Sequence, residues 1–452
     1  MQQSQAQREL DALALNLISK ITPGPLTVGL SGGSDSTLAL LVAVRMRSYN
    51  SAFEVLAVHC IHGLDASDPI WLEHCTRLCE RLDVPLVTPK LNIVYGGGIS
   101  PEDSSRKERY AALLANLKDN GYLLLGHQAD DQVENFLLAL KRGSGPYGLS
   151  GMRQIIKDER GTILRPLLSI NKKTIEQIIE ALGFNFVFDE SNEYLKFERN
   201  FIRLKVLPLM RKRFAGVDRA ILRSSYLCAL EHDLAMRYAK EKAVSCICDN
   251  TLSIDALPLE DKALATCIMR LFIEQYAKMP PDLNIIEDAL KLCAISNDQE
   301  ALIVIEKDLY LRRYLKKLYI TKDYIMPDPG IYTLKTGDEL HLGSFVYKLC
   351  VLSDAMAECE DSECLVANDS VDLDFTYTGK TRLKPLKRVH SREMKKLFGE
   401  YEVPHFMRKS HPVVMHNGIA LGLGSLFTCH RDNYRYYLKI SCDNELVKRS
   451  CL

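Results

Sequence analysis

One hexapeptide constrains this chain more than any other feature: Ser31-Gly32-Gly33-Ser34-Asp35-Ser36, set between an apolar run at 26–30 and a helical run at 37–46. A glycine-rich turn at a helix start leaves backbone amides unpaired and pointing outward, and the helix dipole adds partial positive charge. Glycine lets the backbone approach a ligand closely, while Ser31, Ser34 and Ser36 add hydroxyls. Such a turn suits a phosphate. Two other readings use the same residues. Gly29-Leu30-Ser31-Gly32-Gly33 fits the Gly-x-Ser-x-Gly nucleophile elbow, though on the first strand of a sheet rather than after several. A plain tight turn also asks for glycine. A Walker A loop is disfavoured, because no Gly-Lys-Ser/Thr closes the motif.

The surroundings predict an α/β fold. Residues 25–190 alternate short apolar runs with helical patterns, as in a parallel sheet wrapped by helices. Strands are expected at 26–30, 53–59, 85–88, 122–125 and 162–164. Val133, Phe136, Leu137 and Leu140 give one apolar helix face, and Ile175, Ile178, Ile179 and Leu182 give another, capped by Asn171 and stopped by Gly183. An N-terminal parallel-sheet domain is therefore expected over 1–215. The leucine- and alanine-rich pattern that follows predicts a helical domain over 216–330. Short alternating runs at 339–351 and 413–421 predict a small α+β domain over 331–452. The acidic stretch 354–374 reads as a solvated loop or linker.

Just beyond the strand at 122–125 stand Asp130, Asp131 and Glu134, three carboxylates within five residues. Open α/β sheets place ligands at that end of a strand. Asp130 and Glu134 share a helix face and can converge on one cation or one amine. A helix start stabilised by acidic residues accounts for them as well. Asp35 raises a similar question: beside a phosphate its carboxylate repels the ligand unless a cation intervenes, which suggests a metal-linked role. An acidic first helical turn is the plainer reading.

Lys plus Arg equals Asp plus Glu at 58 each, so any attraction for a polyanion has to be local. Between 196 and 213, Lys196, Arg199, Arg203, Lys205, Arg211, Lys212 and Arg213 stand against Glu198 alone, and 380–409 is also dominated by Lys and Arg. Either patch can position an RNA through its phosphates; either alone is equally well a solvated basic face. The 14 cysteines include no Cys-x-x-Cys, so reduced thiols are expected rather than a zinc or iron-sulfur site. The start lacks the pattern of a secretory signal and the apolar run at 38–44 is too short to cross a bilayer, so a cytoplasmic enzyme without a membrane partner is expected.

The string Ser-Gly-Gly-x-Asp-Ser resembles the PP-loop of the ATP pyrophosphatases, of adenine nucleotide alpha hydrolase-like fold. A narrower resemblance follows. Gly126-His127-Gln128-Ala129-Asp130-Asp131-Gln132-Val133-Glu134-Asn135, then Arg142-Gly143-Ser144-Gly145, is similar to the His-x-x-Asp-Asp-Gln-x-Glu-Thr segment and its Arg-Gly-Ser-Gly sequel in the bacterial tRNA(Ile)-lysidine synthetases, with Asn135 in place of Thr. Ser105-Arg106-Lys107-Glu108-Arg109-Tyr110 resembles that family's Ala-Arg-x-x-Arg-Tyr. Phe188-Asp189-Glu190-Ser191-Asn192, Arg199-Asn200-Phe201-Ile202-Arg203 and Val206-Leu207-Pro208 resemble its closing motifs, and His59-Cys60-Ile61-His62-Gly63-Leu64 the segment bordering adenine. These matches cover most of 25–215. Beyond them the likeness thins to one stretch at 380–414, where Phe406 stands in place of the usual Trp.

The resemblance implies a ligase that adenylates C2–O of the wobble cytidine in tRNA(Ile) with a CAU anticodon. Free L-lysine then displaces AMP to leave lysidine, changing the codon read from AUG to AUA. By the same resemblance Ser31, Gly32, Gly33, Ser34, Asp35, Ser36 and His59 bind ATP, with Mg2+ on Asp35. Asp35, Arg106, Asp130, Asp131 and Glu134 are the expected catalytic residues, Arg106 and Arg109 facing the α-phosphate and the carboxylates facing lysine's ammonium. Arg199, Arg203, Lys205, Lys387, Arg388, Lys395, Lys396 and Arg408 are the expected tRNA contacts, Tyr147 is an unranked base-reading candidate, and a homodimer is compatible with the scheme. The rival readings are a tRNA thiolase, disfavoured by the absent Cys-x-x-Cys, a glutamine-dependent amide-forming enzyme, and a nucleotide-sensing tRNA-binding protein without turnover.

Overall fold

The computed structural model describes residues 1–61, 68–91, 101–158, 160–188, 194–294, 301–351, 364–430 and 434–442. They form two compact units, Met1–Leu234 and Ala235–Leu452.

The first unit is built on six strands: β1 (Leu26–Gly29), β2 (Val55–Val58), β3 (Leu86–Val87), β4 (Tyr122–Leu124), β5 (Ile155–Asp158) and β6 (Gly161–Leu164). Leu26, Thr27 and Val28 are all buried, as a strand covered on both faces requires. β1 pairs in parallel with β2 on one side and β4 on the other, and the full order is β3-β2-β1-β4-β6-β5. The five expected strands are therefore present. β5 was not expected: it folds back antiparallel on β6 to make the edge, and Ile-Ile-Lys-Asp is too short to show a period. The strand order reverses beside β1 and β4, and in open sheets a ligand crevice opens at the carboxyl ends of such a pair.

The helices of this unit are α1 (Gln3–Ile18), α2 (Ser34–Tyr49), α3 (Asp68–Arg81), α4 (Pro101–Ala115), α5 (Ala129–Lys141), α6 (Pro146–Leu149), α7 (Lys172–Ala181), α8 (Glu198–Phe201), α9 (Leu207–Arg213) and the part up to Leu234 of α10 (Val217–Ala243). α1, α2, α3 and α7 share one core with β1. Residues 36–43 of α2 are buried without a break, so this helix is enclosed rather than amphipathic. On the other face Leu113 of α4 meets Val58, Leu123, Leu125 and Ile163. α5 packs through Val133 against Ile202, Leu207 and Ile221, which lays the stretch 198–221 alongside it.

In the second unit, 247–322 contributes a five-stranded antiparallel sheet beside the expected helices at Lys262–Glu274 and Leu283–Cys293. The strand Leu309–Tyr314 turns Leu309, Leu311 and the charged Arg313 inward, while in Lys317–Lys322 the four residues from Leu318 to Thr321 are buried in succession, so an apolar period of two is hardly visible in the sequence. The C-terminal portion holds sheets of five, four and two strands with the helix Met394–Glu400. Its core includes Phe345, Tyr347, Leu397, Phe398 and Phe406. Part of the acidic stretch 354–374, residues 354–363, lies outside the described residues, while Ser370–Asp374 is a strand.

His411 is 1% exposed and its Nδ1 has no hydrogen-bond partner, so burial pushes its imidazole down from 6.5 to about 4. A depressed histidine favours the folded state above its unfolded value, and the advantage disappears as pH falls through the folded one. Between pH 6.5 and 4 the 235–452 unit should therefore lose about 3 kcal/mol of stability through this residue. Urea unfolding of wild type and His411→Leu across that range checks it: the variant should show the shallower pH slope, and equal slopes would refute the assignment.

Candidate active site

The loop after β1 is held by its own serines. Ser36 Oγ donates to Gly33 O at 3.0 Å, accepts from the Ser31 amide at 3.1 Å, and lies 3.1 Å from Ser31 Oγ. Gly32 has φ +90°, a left-handed conformation that favours glycine. Gly126, at the end of β4, has no room for a side chain: a Cβ there would lie 2.7 Å from the Asp35 carbonyl carbon and 2.9 Å from the Ser36 amide. The two crevice-lining turns thus touch backbone to backbone. Gly33 is the N-cap of α2 and has no side chain to satisfy the first amides of that helix, which leaves them available to an anion. No histidine among the described residues hydrogen-bonds Ser31, so the nucleophile-elbow reading finds no base among them. His59 lies beneath the loop, buried, with Nδ1 2.9 Å from Leu30 O and 3.5 Å from Cys75 Sγ.

Across the crevice, α5 opens with a capping box: Gln128 Oε1 accepts from the Asp130 amide at 2.7 Å, and Asp131 Oδ2 accepts from the Gln128 amide at 2.9 Å. The carboxylates are then taken up by arginines of the stretch 198–213. Glu134, 0% exposed, accepts from Arg199 Nε at 2.7 Å and from Arg203 Nε at 2.6 Å and Nη2 at 3.0 Å. Asp131 Oδ1 accepts from Arg199 at 3.2 Å. Asp130 accepts from Arg211 at 2.5 Å. Between α8 and α9, Ile202–Val206 winds as a π-helical turn just before Pro208, whose ring nitrogen has no proton for the helical ladder.

Lys172, at the first position of α7, joins the two halves. Its Nζ stands 3.2 Å from both carboxylate oxygens of Asp35, and its backbone amide donates to Asp130 Oδ2 at 2.9 Å. Burial pushes the Asp35 carboxyl above the usual range; Lys172 pulls against that and the Asp131 charge adds to it. Further along, burial and the nearby Arg165, Arg199, Arg106 and Arg109 drive the His127 imidazole down to about 3, so it is neutral at physiological pH. Arg165 is buried, donates to Arg153 O at 2.9 Å, and leaves its Nε without a partner.

The structure thus brings Ser31 to Ser36, Asp130, Asp131 and Glu134 to one crevice, with Arg106 nearby through His127. Arg199 and Arg203, expected at the tRNA, hold Glu134. Of the other basic residues, Lys205 is exposed, as are Lys387, Lys395 and Lys396. Arg388 pairs with Glu400, and Arg408 donates to Val403 O at 3.2 Å while lying 5.7 Å over the Phe398 ring. Tyr147 is exposed and lies against His232. His62, Gly63, Leu64 and 189–192 fall outside the described residues. Sequence reasoning passed over Lys172, taken only as part of a helix start, and Arg165. Their signal is positional: both follow β6, a strand neighbouring β4, at its carboxyl end.

Known proteins give a consistent match. A PP-loop domain family matches residues 2–210, and the TilS substrate C-terminal domain matches 371–434. The chain is 31% identical over 437 residues to a tRNA(Ile)-lysidine synthase of Vibrio atlanticus, covering 90% of this chain and 93% of that one. It is 32% identical over 410 residues to one of Vibrio vulnificus, covering 89% and 92%. Among solved structures, the U34-tRNA thiolase NcsA from Methanococcus maripaludis aligns over 51% of this chain and 81% of that one, with 15% identity and a TM-score of 0.42.

Proposed function

The chain belongs to the tRNA(Ile)-lysidine synthase family, and from that footing we propose that it joins free lysine to C2 of the wobble cytidine of a CAU-anticodon tRNA(Ile), using ATP. The cytidine O2 attacks the α-phosphorus of ATP and pyrophosphate leaves; the lysine ε-amine, deprotonated, then attacks C2, the C2–O bond breaks and AMP departs. The observation that carries the site assignment is Lys172, one residue that touches both Asp35 of the loop and Asp130 of the acidic motif.

The chemistry of each half supports its role. The uncapped amides of α2 and the serine-glycine turn suit the polyphosphate. Free lysine brings two ammonium groups and one carboxylate, and the Asp131–Glu134–Arg199–Arg203 network offers both kinds of partner, so a zwitterion can exchange into it. Arg106 and Arg109 give fixed positive charge for the α-phosphate in transfer. Magnesium belongs to the nucleotide as it arrives. Asp35 would offer it one carboxylate, the remaining positions falling to phosphates and water. Among the described residues no helix is long and apolar enough to cross a membrane, and we assign the enzyme to the cytoplasm with its tRNA.

Incubation with ATP, magnesium, labelled lysine and tRNA, followed by digestion to nucleosides, tests the reading. Label should appear in one modified cytidine, with pyrophosphate release that depends on tRNA and AMP release that depends on both tRNA and lysine. Unlabelled RNA, or ester hydrolysis abolished by Ser31→Ala, would overturn it.

For the tRNA we assign backbone contacts to Lys387, Lys395 and Lys396. Replacing all three with Glu should weaken binding most at low salt and flatten the plot of log affinity against log salt by about 2–3, roughly one phosphate per lysine. An unchanged slope would make this patch ordinary solvated surface.

A further inference from the structure

A polyphosphate site needs positive charge, and the loop itself has none. Its one ionisable side chain, Asp35, is an acid, and no lysine closes the motif as in a Walker loop. A cation that faces the loop comes from elsewhere. Lys172 projects from the first position of α7 and places Nζ 3.2 Å from both Asp35 oxygens. Its backbone is fixed: Asn171 Oδ1 caps the Thr174 amide at 2.9 Å, Ile175, Ile178 and Ile179 are fully buried, and α7 packs against α1 and α2. Its side chain is not enclosed, with 44% exposed beside 29% for Asp35.

That combination distinguishes Lys172 from the arginines paired with the acidic motif. Arg199 and Arg203 each donate to a fully buried glutamate at 2.6–2.7 Å, and Arg211 pairs with Asp130 and Asp218. Lys172 makes a longer, solvent-touched contact on a flexible four-carbon stem with three donors. Such an ammonium can turn from a carboxylate to a phosphate without moving its helix.

Resting on the nucleotide reading of the loop, we infer that Lys172 is the pyrophosphate-binding lysine of this enzyme, supplied by α7 in place of a lysine within the loop. Without nucleotide it neutralises Asp35. With nucleotide its ammonium goes to the β/γ oxygens, and the Asp35 carboxylate is released to the magnesium that accompanies them. The same lysine then stays with the diphosphate as it leaves. Its backbone amide, still on Asp130, keeps the acidic motif in register with the loop while the side chain changes partner.

Calorimetric binding of inorganic pyrophosphate to the full chain tests this, first in EDTA and then with magnesium, for wild type, Lys172→Met and Lys172→Arg. In EDTA the methionine variant should bind at least about tenfold more weakly, as expected for loss of a charge-assisted contact, and arginine should restore most of the difference. Magnesium should narrow the gap, because it supplies part of the missing charge. Affinity for tRNA should not change in either variant, which also reports that they are folded. If wild type binds pyrophosphate and Lys172→Met binds it equally well in EDTA, the inference is wrong while the nucleotide reading stands. If wild type binds no pyrophosphate with or without magnesium, the nucleotide reading fails and takes this inference with it. Weakening of tRNA binding in step with pyrophosphate would make Lys172 a purely structural residue.

Discussion

Glu134→Gln should lower folding stability by about 3 kcal/mol and abolish lysine incorporation, although the side chain keeps its size. Glu134 is wholly buried and its two oxygens accept three hydrogen bonds from Arg199 and Arg203. Removing one member of a buried ion pair leaves charge uncompensated, and that penalty exceeds what the pair itself contributes. Here both guanidiniums lose the Glu134 charge, Arg199 keeping only Asp131 at 3.2 Å, though each keeps partial contact with solvent at 28% and 32% exposure. The stretch 198–213, docked on α5 through Ile202 and Leu207, should then loosen. The check is the urea midpoint of Glu134→Gln against Glu134→Gln/Arg203→Gln. The double variant should recover part of the loss, because it removes one of the stranded charges. A single variant as stable as wild type would mean that the network carries no structural weight.

The sequence was most informative where one residue type is imposed by sterics or topology. A serine-glycine turn behind a short, mostly apolar strand admits few arrangements, and the parallel pairing of β1 with β2 and β4 follows from apolar runs separated by helix-length segments. The acidic motif was legible as chemistry but not as geometry. Asp130, Asp131 and Glu134 read as an open anionic receptor, whereas each is already paired with an arginine some 65 to 80 residues further on, a contact that no local pattern encodes. Arg199 and Arg203 looked like phosphate contacts for the same reason: their charge was visible and their partner was not. Lys172 was hidden more thoroughly, since in sequence it is one of two lysines after a capping asparagine. The sheet at 247–322 escaped because one of its inward residues is Arg313 and because Leu318 to Thr321 are buried in succession, so its strands carry almost no apolar period of two.

Asp35→Ala should reduce ATP-dependent lysine incorporation by about a hundredfold or more, the scale of losing one fixed electrostatic group at a reacting phosphate, while tRNA affinity stays nearly unchanged. The Asp35 side chain is not needed to build the loop. The serines and glycines hold it through Ser36 and Gly33, and the Gly126 contact is made by the Asp35 backbone. What disappears is a carboxylate held between Lys172 and the anionic start of α5, with its carboxyl raised by burial. Without it the loop becomes net positive through Lys172, so pyrophosphate in EDTA should bind at least as tightly as to wild type even though turnover collapses. Affinity for the leaving group and the rate of its departure would then move in opposite directions. A defect confined to folding cannot produce that pattern, because it would weaken both. Binding of pyrophosphate and incorporation of labelled lysine, measured on one preparation of Asp35→Ala, decide the matter. Residual turnover with strongly weakened tRNA binding would place Asp35 at the RNA rather than at the nucleotide.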